Sequence, residues 1–193
     1  MKKVSLSLSS GRAALLVYGL MLVLLVADQI TKWWTVRYLP FAIPQPALEP
    51  WLYFTHVHND GAAFSFMRGQ RWPLSLIALG VAVWIIVYER RLKQRHPLHL
   101  TGLACILSGA LGNVIDRVRL GYVIDFLDLH YGGRNIWPIF NVADICINLG
   151  VALLILYFWL YPDTETPAEA DSTSETADNP DTAPPDEETL TQA

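Results

Sequence analysis

Cysteine is almost missing from this chain. Cys105 and Cys146 are the only two, and each lies inside an apolar run. Small packing residues are the expectation for both, in place of a disulfide or a metal pair. No Cys-x-x-Cys and no His-Glu-x-x-His occurs, so a zinc hydrolase finds no ligand set here. His56 and His58 stand two apart, but no third ligand accompanies them, and neither a metal nor another cofactor is expected. Positive charge is missing after Tyr161, where ten acidic residues meet no Lys or Arg. Taking those ten from the eighteen Asp and Glu leaves eight acids against fourteen bases, so residues 1–161 carry +6. These bases flank apolar runs rather than cluster on a polar helix, which argues against nucleic acid and for a membrane surface as partner. A polar stripe at period 3.6 is also lacking over 13–27 and 151–161, and the helices of a soluble bundle need one.

What is present is long apolar runs, at roughly 13–27, 72–88, 100–115 and 142–161. A helix needs about 20 residues to cross the hydrocarbon core. The fourth run suffices alone, and the others suffice with flanking anchors such as Trp33, Trp34 and Trp72. Spans are therefore expected near 13–34, 72–88, 98–115 and 141–161. Lys2 and Lys3 before the first run suggest a secretory signal, but no small-x-small cleavage site follows and Asp28-Gln29-Ile30-Thr31-Lys32 interrupts. An uncleaved first span is expected. Segment 89–95 packs four bases into seven residues and residues 1–12 carry three more, while the remaining seven are spread thinly. Both termini and the 89–99 loop are then expected in the cytoplasm, with loops 35–71 and 116–140 on the opposite, periplasmic side. The organisation reads as an N-terminus (1–12), a four-helix domain (13–161) and an acidic tail (162–193). That tail is too poor in apolar residues to fold.

The first outer loop carries its own pattern. Pro40, Pro44, Pro46 and Pro50 break its start, then Trp51-Leu52-Tyr53-Phe54-Thr55-His56-Val57-His58 alternates as a strand. Asn59-Asp60-Gly61 signals a turn, and 62–66 resumes extended character. The expected fold class is an all-α membrane protein: four transmembrane helices and a small extramembrane β-sheet and loop region.

Polar residues intrude where apolar ones should stand. Asp125 and Asp144 flank or enter apolar segments with no base nearby in sequence, and an ionisable group at membrane depth costs a few kcal/mol. Asp28 and Lys32, four apart, stack on one helical face. Asn113, Asp116 and Arg117 share a face at the end of span three, as do Asn141, Asp144 and Asn148 at the start of span four. Asn59 tops the expected strand. Gly109 and Gly112 permit a close helix approach. The ion pairs also suit a plain anchoring role, and the asparagines suit interhelical hydrogen bonding. Asp125 is placed in the loop, and Asp128 is expected to be exposed near His130. Two carboxylates within about 3 Å share one proton and suit acid/base chemistry. A small proton-coupled transporter is the alternative for such residues.

Asp28-Gln29-x-Thr31-Lys32, Asn59-x-Gly61-Ala62-Ala63-Phe64, Gly112-Asn113-x-x-Asp116-Arg117, Val123-x-Asp125-Phe126 and Phe140-Asn141-x-Ala143-Asp144 occur in this order. Together they resemble the bacterial lipoprotein signal peptidase family, signal peptidase II. The resemblance implies a four-helix inner-membrane aspartic endopeptidase with its site facing the periplasm. It implies cleavage of prolipoproteins just before a diacylglyceryl-modified cysteine, contact with membrane lipid, and inhibition by globomycin. By motif position, Asp125 and Asp144 match the catalytic dyad. Asp28, Lys32, Asn59, Asn113, Asp116, Arg117, Asn141 and Ala143 match its supporting residues, and Gly109 is counted with them for the close helix approach it permits. Asp60 departs from the family pattern, where a small or hydroxyl residue is expected, and the acidic tail is longer than the family needs.

Overall fold

A computed structural model describes residues 7–61 and 69–162. The extended segment expected over 62–66 and the acidic tail from 163 onward lie outside the described residues. The chain divides into units Met1–Tyr161 and Pro162–Ala193. The first unit carries the elements α1 (Ser10–Tyr38), β1 (Gln45–Leu48), β2 (Leu52–Asn59), α2 (Arg71–Arg91), α3 (Pro97–Arg119), β3 (Val123–Tyr131), β4 (Arg134–Asn135) and α4 (Val142–Leu160).

All four helices are long and apolar enough to cross a membrane. Three of them bury few residues against the protein, which leaves their apolar surface for lipid, while α3 is buried over most of its length. That helix is the central one, packing against α1, α2 and α4. Lipid tails are as apolar as leucine, so close backbone approach rather than the hydrophobic effect holds such helices together. Small residues supply it. A Cβ built on Gly109 would collide with the Ala143 carbonyl and the Ile147 side chain, and one on Gly150 with the Gly102 carbonyl at 2.7 Å. Gly109→Ala is therefore expected to push α3 from α4 at the head of α4, lowering stability by about 1–3 kcal/mol. Thermal unfolding in detergent measures it.

The helix ends sort by chemistry. At one end, Leu8 N–H donates to the Arg95 carbonyl at 2.9 Å and Arg95 N–H to Ser7 Oγ at 3.2 Å. The start of α1 thus meets the basic α2–α3 connection there. The other end carries an antiparallel sheet in the order β1-β2-β3-β4. β2 forms where the alternation placed it and pairs with β1 and β3. Two expectations change here. Pro46 does not break the chain but sits in β1, an edge strand, where its missing N–H is tolerated. The segment expected as a loop over 116–140 is mostly regular structure: α3 continues to Arg119, and Asp125 lies in β3 rather than in a loop.

Candidate active site

α4 begins with a capping box. Asn141 Oδ1 accepts from Asp144 N–H at 2.9 Å, while Asp144 Oδ2 accepts from Asn141 N–H at 3.2 Å. This reciprocal pair satisfies two orphan donors of the helix start and fixes the Asp144 side chain at the head of α4. Asn141 Nδ2 reaches across to Asp125 Oδ1 at 2.6 Å, so one buried asparagine joins both carboxylates. Asn59, the last residue of β2, donates to the other oxygen, Asp125 Oδ2, at 2.8 Å. Asn113 Nδ2 donates to Asp144 Oδ1 at 2.9 Å, and its Oδ1 accepts from Asn141 Nδ2 at 3.2 Å. Three asparagines from three elements thus hold the two aspartates.

Beneath this pair lies an ion cluster. Lys32 Nζ stands 3.0 Å from Asp28 Oδ2, 2.9 Å from Asp116 Oδ2 and 3.1 Å from Asn113 Oδ1. All of these side chains are buried. The free oxygen of Asp28 accepts from Ala143 N–H at 2.9 Å, another orphan donor of the α4 start, and Asp116 Oδ2 accepts from Ile124 N–H at 3.2 Å. α1, α3, α4 and the entry to β3 are joined through one ammonium. Gly112 lies directly over Asp28, whose Oδ2 would stand 2.5 Å from an added Cβ. Arg117 Nη2 donates to the Gly61 carbonyl at 2.8 Å, and its charge faces Asp125 and Asp144.

Burial pushes the Asp125 carboxyl up to about 7, and the charge of Asp144 pushes the same way. The hydrogen bonds from Asn59 and Asn141 and the charge of Lys32 oppose the rise. Asp125 is thus poised to hold a proton near neutral pH. The two aspartates open into a groove of about 1130 Å³. Its walls are apolar side chains such as Leu74, Val81 and Ile106 on one side and the Trp137–Pro138–Ile139 stretch on another.

The structure gathers Asp28, Lys32, Asn59, Asn113, Asp116, Asn141, Ala143 and Asp144 around Asp125 through these bonds. Gly109 serves the packing of α4, and Asn148 donates to the Asp144 carbonyl at 2.9 Å within its own helix. Asp128 is corrected: it is 3% exposed rather than solvated, although it does lie beside His130. Sequence reasoning did not single out Gln29 as a site residue. Its amide donates to Asp28 Oδ2 at 3.1 Å and Asp116 Oδ1 at 3.2 Å, linking two acids. Its place between Asp28 and Lys32 was the available signal. The capping spacing Asn141-x-x-Asp144 was another. Among the described residues no group of three His, Cys, Asp or Glu is placed to hold a metal.

Four apolar helices with paired carboxylates at one end and a groove beside them define a multi-pass membrane protein with a cluster of buried polar groups at the helix ends. Residues 20–160 match the family described as Signal peptidase (SPase) II. The lipoprotein signal peptidase of Teredinibacter turnerae is 43% identical over 147 residues, covering 74% of this chain and 86% of that protein. That of Anoxybacillus flavithermus is 40% identical over 148 residues, covering 77% and 88%. A bacterial membrane enzyme solved by the in meso method at 2.3 Å superposes with a TM-score of 0.72 at 25% identity, over 84% of this chain and 96% of that one. A second, at 1.9 Å, gives 0.68 at 26% identity, over 84% and 100%. The chain belongs to the signal peptidase II family, whose members are membrane proteases.

Proposed function

We propose that this protein is an aspartic endopeptidase that removes the signal peptide of prolipoproteins immediately before the diacylglyceryl-modified cysteine. The observation that carries the reading is the Asp125–Asn141–Asp144 bridge at the head of an apolar groove. With Asp28 and Asp116 the pair makes four carboxylates, against the two cations Lys32 and Arg117. A shared proton on the dyad relieves that excess of negative charge. Asp144 takes a proton from water as its oxygen attacks the scissile carbonyl carbon. Asp125 donates its proton to the developing oxyanion. Collapse of the tetrahedral species breaks the C–N bond, the departing amine takes up the proton held by Asp144, and one hydroxyl of the diol returns its proton to Asp125 as the carboxylic product forms. No covalent enzyme intermediate, metal or cofactor enters these steps. The groove's apolar walls suit the lipid chains and the hydrophobic part of the signal peptide, with membrane lipid filling the remaining surface.

The bases of the α2–α3 connection favour a cytoplasmic place for that end and, with it, both chain termini. Site and sheet then face the periplasm across the inner membrane. The family match favours a peptidase over the transporter alternative.

The test is incubation of the purified protein with a lipidated precursor, with globomycin as inhibitor control and mass spectrometry of the product N-terminus. A product beginning at the modified cysteine, suppressed by globomycin, is expected; no cleavage overturns the reading. The alkaline side of the pH profile supplies a second prediction. Catalysis needs the dyad's proton, and Asp125 is raised to about 7, so activity is retained below neutrality and falls as pH rises through about 7. A profile flat to pH of about 9 speaks against a protonated Asp125.

A further inference from the structure

Asp128 is buried like Asp125, yet it takes no part in the proposed chemistry. Thr55 Oγ1 on β2 donates to its Oδ2 at 2.7 Å, and Asn135 Nδ2 on β4 donates to its Oδ1 at 2.5 Å. His130 Nε2 lies 2.9 Å from the same Oδ1. One carboxylate on β3 therefore ties that strand to both neighbours.

The Thr55 end of this tie falls at a break in register. Phe54 pairs with Leu127 and Val57 pairs with Asp125, so Thr55 and His56 together oppose Phe126 alone. That is a β-bulge, one residue extra on β2. Its effect is on which side chains face the dyad. Before the bulge, the even residues Leu52 and Phe54 stand opposite Leu129 and Leu127, on the face of β3 that Asp125 shares. After it, the odd residues Val57 and Asn59 take that face, opposite Asp125 and Val123. Side chains alternate with period two, so an unbulged β2 would set His56 opposite Asp125 and His58 opposite Val123, in the place of Asn59, and turn Asn59 away. The far side of the bulge is held as well, by Ala42 N–H donating to the His56 carbonyl at 2.9 Å. Ala42 adopts a φ of 60° there, a left-handed conformation costly for a residue with a Cβ.

We infer that Asp128 is a positioning residue for the dyad: by holding Thr55 in the bulge, it sets the phase of β2 that brings Asn59 onto Asp125. The inference rests on the peptidase reading of the site. It also explains a buried carboxylate that neither substrate binding nor the ion cluster requires.

The test compares Thr55→Val, Thr55→Ser and Asp128→Ala with the wild type on a lipidated precursor across pH, each variant first checked for folding by thermal unfolding. The charges facing Asp125 are Asp144 from α4, Lys32 from α1 and Arg117 from α3, and every variant keeps them. A moved limb therefore reports the Asn59 hydrogen bond. That bond favours the carboxylate, so its loss lets Asp125 keep its proton to higher pH. Thr55→Val and Asp128→Ala are expected to move the alkaline limb up by about half a pH unit or more. Their kcat is expected to fall about tenfold with KM within about twofold. Thr55→Ser, which keeps the hydroxyl, restores both. A folded Thr55→Val protein with a wild-type limb, or with a change in KM alone, overturns the inference and leaves the peptidase reading intact. Should Asp128→Ala not fold, Thr55→Val decides. A wild type that does not cleave the precursor overturns the peptidase reading first, and this inference with it.

Discussion

Asp125→Asn and Asp144→Asn are each expected to reduce cleavage of a lipidated precursor by about a thousandfold, the range for removal of an acid/base group. The proposed mechanism gives the two carboxylates unlike tasks, and in it neither is replaceable by an amide. An asparagine at 144 retains an oxygen to accept from Asn141 N–H, so the capping box survives, but its amide nitrogen then meets Asn113 Nδ2, which donates to Asp144 Oδ1 at 2.9 Å. An asparagine at 125 cannot offer acceptors to both Asn59 and Asn141, which donate to its two oxygens at 2.8 and 2.6 Å. Each substitution therefore leaves one asparagine donor without its acceptor, and the proposed acid/base group is lost in either case. The double variant should be little slower than the worse single one, because residues acting as a unit are not additive. Substantial cleavage by either single variant would remove the dyad proposal. Intact thermal unfolding of Asp144→Asn separates lost chemistry from lost structure.

Lys32→Met is the largest expected loss of stability. Its ammonium lies within 3.1 Å of Asp28, Asp116 and Asn113, at 2% exposure. Removing one partner of a buried ionic network leaves uncompensated charge and costs about 3–5 kcal/mol. Two carboxylates are stranded here, and each also accepts from a backbone N–H, of Ala143 or Ile124. Lys32→Arg is not expected to rescue. Three acceptors converge on a single nitrogen, a geometry that suits a point charge rather than a planar fork. A thermal midpoint of the Met variant equal to wild type would show that the cluster is dispensable for folding. Activity should fall with stability, because Asn113 links Lys32 directly to Asp144.

Much of this arrangement was legible in the chain. Asp28 and Lys32 stand four apart on a helix, and the structure pairs them. Apolar length marked four helices, and alternation marked β2. What escaped was anything that depends on a distant partner. Asp128 looked solvated because its neighbours in sequence are unremarkable; its burial comes from Thr55, 73 positions away. Asp125 looked like a loop residue because only the far end of Val123–Tyr131 has a hairpin partner nearby, in β4; the stretch that carries Asp125 pairs with β2, across two intervening helices. Pro46 looked like a breaker because edge position is a property of the finished sheet.

The division follows from the range of the forces. By itself the sequence determined what water and lipid accept: which segments are apolar enough to cross a membrane, which ends are basic, and which charges are too costly to be incidental. Those are properties of short windows. Only the tertiary structure decided that Asn59 faces Asp125 across 66 positions, that Asn141 bridges the two carboxylates, and that one extra residue in β2 sets which side chain does so. Strand register and helix approach are settled by packing and hydrogen-bond closure between remote segments, and no local window contains both partners.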